Sequence, residues 1–150
     1  MSLETVLGQI GVDGEVIRLP SGTPTVERAA AGLGVTTDRI IKSVLFQAKD
    51  GECLLVIAAG TGRVDLKKLA AVTGKARWRL ARPDVVEAVT GYPAGGTPPV
   101  GHATKLRVLM DRKAAALDVV YGGGGAVDAM LRIRVADIRR LTGAEIHELT

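Results

Sequence analysis

The sequence predicts a compact α/β domain: a mixed, largely antiparallel sheet with helices around it. Three observations carry that expectation. Two runs rich in branched apolar residues flank Asp50-Gly51, a dipeptide that favours tight hairpin turns. Helical stripes closed by glycine lie between other strand-like runs. These elements follow no regular strand–helix alternation, which argues against a doubly wound parallel sheet. The chain has 150 residues, 47% of them apolar. That suits one domain over residues 1–150 with a core large enough to need no staples.

Leu3, Val6, Leu7 and Ile10 recur at helical spacing and stop at Gly11. Val16 to Leu19 reads as a strand. Thr23-Pro24 reads as an N-cap and first helical residue, before the stripe Val26, Ala29, Ala30 and Leu33 and a closing Gly34. Ile41 to Ala48 alternates as a strand: Lys42, Val44, Phe46 and Ala48 share one face, and Ile41, Ser43, Leu45 and Gln47 the other. Glu52 to Ala59 returns from the turn as a buried strand. Asp65 caps a helix bearing Leu66, Leu69 and Ala70 that ends at Gly74. Ala76, Trp78 and Leu80 alternate with Arg77 and Arg79, so a half-exposed strand is expected. Pro83 opens a helix that Gly91 closes. A loop from Tyr92 to His102 holds three prolines and three glycines. Strands are expected at Leu106–Met110, Leu117–Tyr121 and Leu131–Val135, with a short helix over Ala136–Leu141. Glu145 to Leu149 closes the sheet.

Composition narrows the chemistry. Glycine occurs 19 times, while aromatics make up only 3%. Base stacking on aromatic platforms is therefore a weak mechanism here. A single cysteine, Cys53, excludes an intramolecular disulfide and suits a reducing cytoplasm. Its apolar neighbours favour an inert buried thiol over a nucleophile. Met1-Ser2-Leu3-Glu4 does not open a signal peptide, and the longest apolar run, Cys53 to Ala59, is too short to cross a bilayer. The net charge is +4, but between Arg63 and Arg82 seven basic residues face one acid, Asp65. That stretch is either a polyanion patch or a solvated face. The serines (Ser2, Ser21, Ser43) form no nucleophile elbow, and His102, His147 and Cys53 are too scattered for a metal site. Gly96 to Gly101 has phosphate-loop spacing but is followed by His102 rather than lysine. The glycines from Gly122 lack a dinucleotide fingerprint.

Three features remain. Lys42 lies on an otherwise apolar strand, where an ammonium is partly desolvated and wants an anionic or carbonyl partner. It either lines a cleft or snorkels to solvent. The stretch Gly95-Gly96-Thr97-Pro98-Pro99-Val100-Gly101-His102 is stiff, with exposed backbone able to aim N–H donors at an oxyanion; the plain reading is a connecting turn. Gly122 to Gly125 lets a ligand approach the backbone, or forms a hairpin tip. His102 either fixes the loop by a hydrogen bond, the favoured reading, or serves as acid or base. Tyr92 packs the loop, and His147 is solvated.

In this order the motifs resemble the YbaK-type aminoacyl-tRNA deacylase family, which includes the editing domain inserted in bacterial prolyl-tRNA synthetases and its freestanding relatives. The resemblance runs from about Thr25 to Ile138. It rests on Thr25-Val26-Glu27-Arg28-Ala29-Ala30 with Leu33-Gly34-Val35, and on Ile41-Lys42-Ser43-Val44-Leu45-Phe46. Gly62-Arg63-Val64-Asp65, Lys68-Leu69, Thr90-Gly91-Tyr92, Gly95 to Gly101, Asp111 and the glycines from Gly122 complete it. The Lys-Ser pair and the Gly-Gly-x-Pro-Pro-x-Gly loop are its specific parts.

The resemblance implies a YbaK-like fold and hydrolysis, by water, of the ester joining a wrong amino acid to tRNA. It implies Lys42 as the essential side chain and ribose hydroxyls that help position the water. No metal or other cofactor is implied. Gly95, Gly96, Thr97, Pro98, Gly101, His102, Gly122 and Gly123 are the expected substrate-binding residues. Arg63, Lys67, Lys68, Arg77 and Arg79 are expected to meet the acceptor end of tRNA, and a synthetase is a conceivable partner. Gly122 departs from the family, which places a polar residue there, and Ala126-Val127-Asp128 replaces a basic pair. Beside a freestanding deacylase stand two other readings: a module of the same fold that binds aminoacyl-tRNA or a nucleotide ligand without hydrolysis, and a hydrolase of other activated acyl esters.

Overall fold

The computed structural model describes residues 2–20 and 25–150. The chain runs α1 (Leu3–Ile10), β1 (Glu15–Arg18), α2 (Val26–Leu33), β2 (Ile41–Gln47), β3 (Cys53–Ala59), α3 (Leu66–Thr73), β4 (Arg79–Leu80), α4 (Pro83–Thr90), β5 (Arg107–Asp111), α5 (Arg112–Ala115), β6 (Val119–Gly123), β7 (Ala129–Arg134), α6 (Val135–Thr142) and β8 (Glu145–His147). Single 3-10 turns occupy Thr37–Arg39 and Ala94–Gly96.

The strands form two sheets rather than one. A five-stranded mixed sheet has the order β4-β2-β3-β5-β8, and a three-stranded antiparallel sheet the order β1-β7-β6. Most pairings are antiparallel; β5 runs parallel to both β3 and β8. A bridge between Ile40 and Tyr121 joins the sheets where β2 begins. The Asp50-Gly51 hairpin forms, with Gln47 opposite Cys53 and Ile41 opposite Ala59.

The alternation in β2 and β3 divides the core. Ile41, Leu45, Leu55 and Ile57 pack with Leu3, Leu7, Leu131, Ile133 and Ile138 on one face of the large sheet. Phe46, Leu54 and Val56 pack with Leu69 of α3, Trp78 and Leu149 on the other. Ala29 and Ala30 of α2, with Leu19, Ile40 and Met130, make a smaller cluster beside the junction of the sheets. Among the described residues no helix is long and apolar enough to cross a membrane.

Helix ends follow local chemistry. Asp65 accepts hydrogen bonds from Lys67 N and Lys68 N, 2.9 and 3.3 Å, at the start of α3. Gly34, Gly74 and Gly91 close α2, α3 and α4 in the left-handed conformation. The expected cap Thr23-Pro24 lies outside the described residues, as do Met1 and Ser21; Thr25 caps α2.

Three expectations need correction. The run Ala76–Leu80 pairs only at Arg79 and Leu80, because Arg77 sits at φ 64° and breaks the extended path. Trp78 is buried and donates from Nε1 to Thr73 Oγ1 at 2.9 Å, whereas Leu80 is 65% exposed, so the two share no face. β6 and β7 reach further than their apolar patterns, since Gly122 and Gly123 pair with Leu131 and Met130. The short helix α5 has no counterpart in the sequence reading.

Candidate functional site

A cavity of about 250 Å³ opens where the two sheets meet. Thr25, Val26 and Ala29 of the α2 region form one wall, and Ile40 to Ser43 the opposite one. Ala94, Gly95 and Thr97 of the glycine-proline loop, with Gly123 and Met130, close it. β4 pairs with β2 only at Phe46 and Gln47, so among the described strands no ladder partner covers that edge at Lys42 and Ser43. The 3-10 turn before β2 and the bridge at Ile40 hold this strand start in place.

Lys42 is half-buried in this wall, opposite Ala58 of β3. Burial pulls its ammonium below the ordinary lysine pKa, and the nearby Arg63 guanidinium pulls it further the same way. Among the described residues no carboxylate offsets these effects. The ammonium is thus a charge poised for an anionic or carbonyl partner from outside. Next to it, Ser43 Oγ is sealed from solvent and has no hydrogen-bond partner. Orphaned buried hydroxyls are uncommon in folded proteins, because the desolvation goes uncompensated. Sequence reasoning recorded Ser43 as part of a motif and assigned it no role; its place beside Lys42 on a cavity wall is the signal.

The glycine-rich segments meet backbone to backbone. Gly125 N donates to Gly96 O at 2.8 Å, and Gly124 N to Ala129 O at 3.1 Å. A Cβ on Gly123 would stand 2.0 Å from Thr97 O, and one on Gly96 2.6 Å from the Ala126 carbonyl carbon. These glycines exist so that the loop and the β6–β7 hairpin can interlock, and Gly95 and Gly123 then line the cavity as a consequence. Gly122 is different. It is buried, it does not line the cavity, and a side chain there would press on Ile41 and Pro99. Gly96 and Pro98 are likewise buried outside the lining.

Gly101 and His102 stand elsewhere. They line a second cavity of about 340 Å³ with Val6, Ile10, Thr90 and Tyr92. His102 Nε2 lies 2.7 Å from Pro98 O, the loop-fixing contact expected of it. Burial lowers its pKa, only partly offset by that hydrogen bond, so the ring is neutral at pH 7. It then donates from Nε2 to the carbonyl. Tyr92 is buried against the loop, 3.4 Å from where a Gly125 Cβ would stand. Cys53 is partly buried and its thiol pKa is raised by burial, which suits an inert thiol.

The basic stretch divides. Lys68 donates to Thr150 O and Glu148, Lys75 pairs with Asp50 and Glu52, and Arg82 pairs with Asp84. Arg63 and Lys67 stay exposed at the Lys42 end of α3, while Arg77 and Arg79 are exposed at its far end. Asp111 is buried and structural. It accepts from Leu149 N at 2.8 Å and Thr150 N at 3.2 Å, and caps α5 through Lys113 N.

This fold and site have known counterparts. Residues 20–141 match the aminoacyl-tRNA editing domain family, and the chain belongs to that family. It is 26% identical over 145 residues to the uncharacterised protein YwhH of Bacillus subtilis, covering 97% of this chain and 92% of that protein. It is 41% identical over 111 residues to a proline–tRNA ligase of Nitratidesulfovibrio vulgaris, covering 74% of this chain but only 19% of the ligase. A candidate Cys-tRNA(Pro)/Cys-tRNA(Cys) deacylase of Enterococcus faecalis, EbsC, is 25% identical over 126 residues, 84% of this chain and 77% of EbsC. Among solved structures, a candidate trans-editing enzyme for prolyl tRNA synthetase superposes with a TM-score of 0.90 at 32% identity, over 99% of this chain and 94% of that one.

Proposed function

We propose that this protein is a freestanding aminoacyl-tRNA deacylase that hydrolyses the ester of a mischarged tRNA. The observation that carries this reading is the pair Lys42 and Ser43: a desolvated ammonium and an unpartnered hydroxyl side by side on one cavity wall. Family membership and the resemblance to editing proteins support it.

An aminoacyl ester is already activated, so orientation and charge stabilisation suffice. In this reading the aminoacyl group enters the cavity and the terminal adenosine stays at its mouth. A cavity of about 250 Å³ suits a small acyl group. Water adds to the ester carbon, and the carbonyl oxygen becomes an oxyanion that Lys42 Nζ stabilises by a charge-assisted hydrogen bond. The C–O bond to the ribose then breaks, the ribose oxygen takes a proton, and free amino acid and tRNA leave. Ser43 Oγ supplies a second donor to the substrate. The interlocked Gly95–Thr97 and Gly123 backbones hold the acyl side in place. Because Gly122 lies outside the cavity, its departure from the family pattern leaves the chemistry at Lys42 intact.

The test is a panel of mischarged tRNAs. At least one is released faster than in buffer alone, and Lys42→Ala slows that release roughly tenfold or more, the scale of one lost oriented charge contact. Equal rates with and without wild-type protein across the panel overturn the reading. Saturable binding of charged tRNA without turnover favours the binding-module alternative.

A further inference from the structure

At the far end of the large sheet from Lys42, Lys49, Arg77 and Arg79 converge on a hollow of about 270 Å³. We infer that this trio is a second anion site, which takes a backbone phosphate of the RNA acceptor stem while the 3′ end occupies the cavity at Lys42. The inference rests on the deacylase reading and specifies where the rest of that substrate lies.

Four observations carry it. First, the three cations are exposed, and none of them enters an ion pair among the described residues. Second, the acids closest in sequence, Asp50 and Glu52, are already occupied by Lys75, with Nζ 2.7 Å from Asp50 Oδ2. That arrangement removes the negative charge that would otherwise compete for an incoming phosphate. Third, Arg77 is the one non-glycine residue with positive φ among those described, at 64°. Its left-handed backbone ends the path from α3 and sets Arg77 and Arg79 beside the turn that carries Lys49. Residues held in such conformations cluster at functional sites.

Fourth, the separation matches nucleic acid. From Lys42 to Gln47, the residue paired with Arg79, β2 spans about 17 Å at ~3.4 Å per residue. That is about five stacked nucleotide steps. A strand whose last nucleotide lies at Lys42 thus brings the first pairs of the stem to Lys49, Arg77 and Arg79. Arg63 and Lys67, exposed along α3, lie between. Scarce aromatics leave phosphate contact as the natural grip.

Two RNA probes test this: an uncharged acceptor minihelix ending in CCA, and the CCA trinucleotide alone. In the triple variant Lys49→Gln, Arg77→Asn, Arg79→Gln, the Asn tolerates the left-handed backbone. Minihelix Kd rises about tenfold and its log–log salt slope becomes shallower by about 2–3, one per lost phosphate contact. Trinucleotide binding is unchanged. With charged minihelix KM rises and kcat holds. The control Arg132→Gln, Arg134→Gln, Arg139→Gln removes the same charge elsewhere and leaves the salt slope as in wild type. Unchanged minihelix affinity and slope in the first variant overturn the inference. So does equal weakening of both probes. Selective loss of binding to polyglutamate, with RNA unaffected, overturns it in favour of an acidic protein partner. Should wild type release no amino acid from any tRNA, the deacylase reading falls, and the minihelix salt slope still decides the patch by itself.

Discussion

Lys42 and Ser43 are neighbours on one strand and carry opposite burdens. The lysine is a charge that the fold partly desolvates and does not neutralise. The serine is a dipole that the fold seals and leaves unpartnered. Neither arrangement favours stability. Ser43→Ala removes a buried hydroxyl that makes no hydrogen bond, so the variant is as stable as wild type or more stable by up to about 1 kcal/mol in urea unfolding. Its kcat/KM on the preferred charged tRNA falls about tenfold, because a donor to the substrate is gone. Loss of stability with unchanged kcat/KM would assign Ser43 a packing role instead. Lys42 was legible from the strand pattern alone, since a charge among alternating apolar residues stands out. Ser43 was not, because serine on a strand is unremarkable until its surroundings are known.

At the scale of elements, the site depends on the contact between the Ala94–Thr97 loop and the β6–β7 hairpin. Gly122 and Gly123 are adjacent and read alike in the sequence, yet their surroundings differ. At Gly123 a Cβ meets the Thr97 backbone oxygen at 2.0 Å, which cannot yield without opening the loop. At Gly122 the nearest atoms, at 3.1 to 3.4 Å, belong to the side chains of Ile41 and Pro99. Gly123→Ala therefore costs about 2–3 kcal/mol of unfolding free energy and lowers deacylation with it. Gly122→Ala costs under about 1.5 kcal/mol and preserves activity. Thermal unfolding and turnover of the two variants, measured side by side, check the contrast. The helices needed no such context: Asp65, Pro83 and the closing glycines act on their own neighbours, so their positions were readable directly.

Across the whole molecule, Asp111 links distant parts of the chain. It ends β5, caps α5 and accepts from the backbone of Leu149 and Thr150, thirty-eight and thirty-nine residues away. Leu149 in turn fills the core beneath α3, and Asp65 N donates to Leu149 O at 2.7 Å. Asp111→Ala leaves several buried donors without an acceptor, at a cost of about 3 kcal/mol in denaturant unfolding. Deacylation per folded molecule stays near wild type, since the Lys42 cavity lies at the other side of β3. A variant that unfolds like wild type would show that this contact is dispensable.

Hydrophobic periodicity, capping residues and turn dipeptides act over a few residues, so the sequence by itself determined the kinds of element, most of their ends, and the isolated lysine. The division into two sheets was beyond it, because the seam between them depends on Ile40 meeting Tyr121, far along the chain. So was the sorting of the basic stretch: Lys68 is held by Thr150, eighty-two residues away, and Lys75 by the hairpin acids, while Arg77 and Arg79 stay unpaired. The glycine excess, which first reads as one flexible ligand cradle, is by its contacts largely an interlock between two segments. His102 and Lys42, both near conspicuous motifs, belong to different cavities. Only the tertiary structure decides such matters, because charge, burial and close approach are properties of neighbours in space.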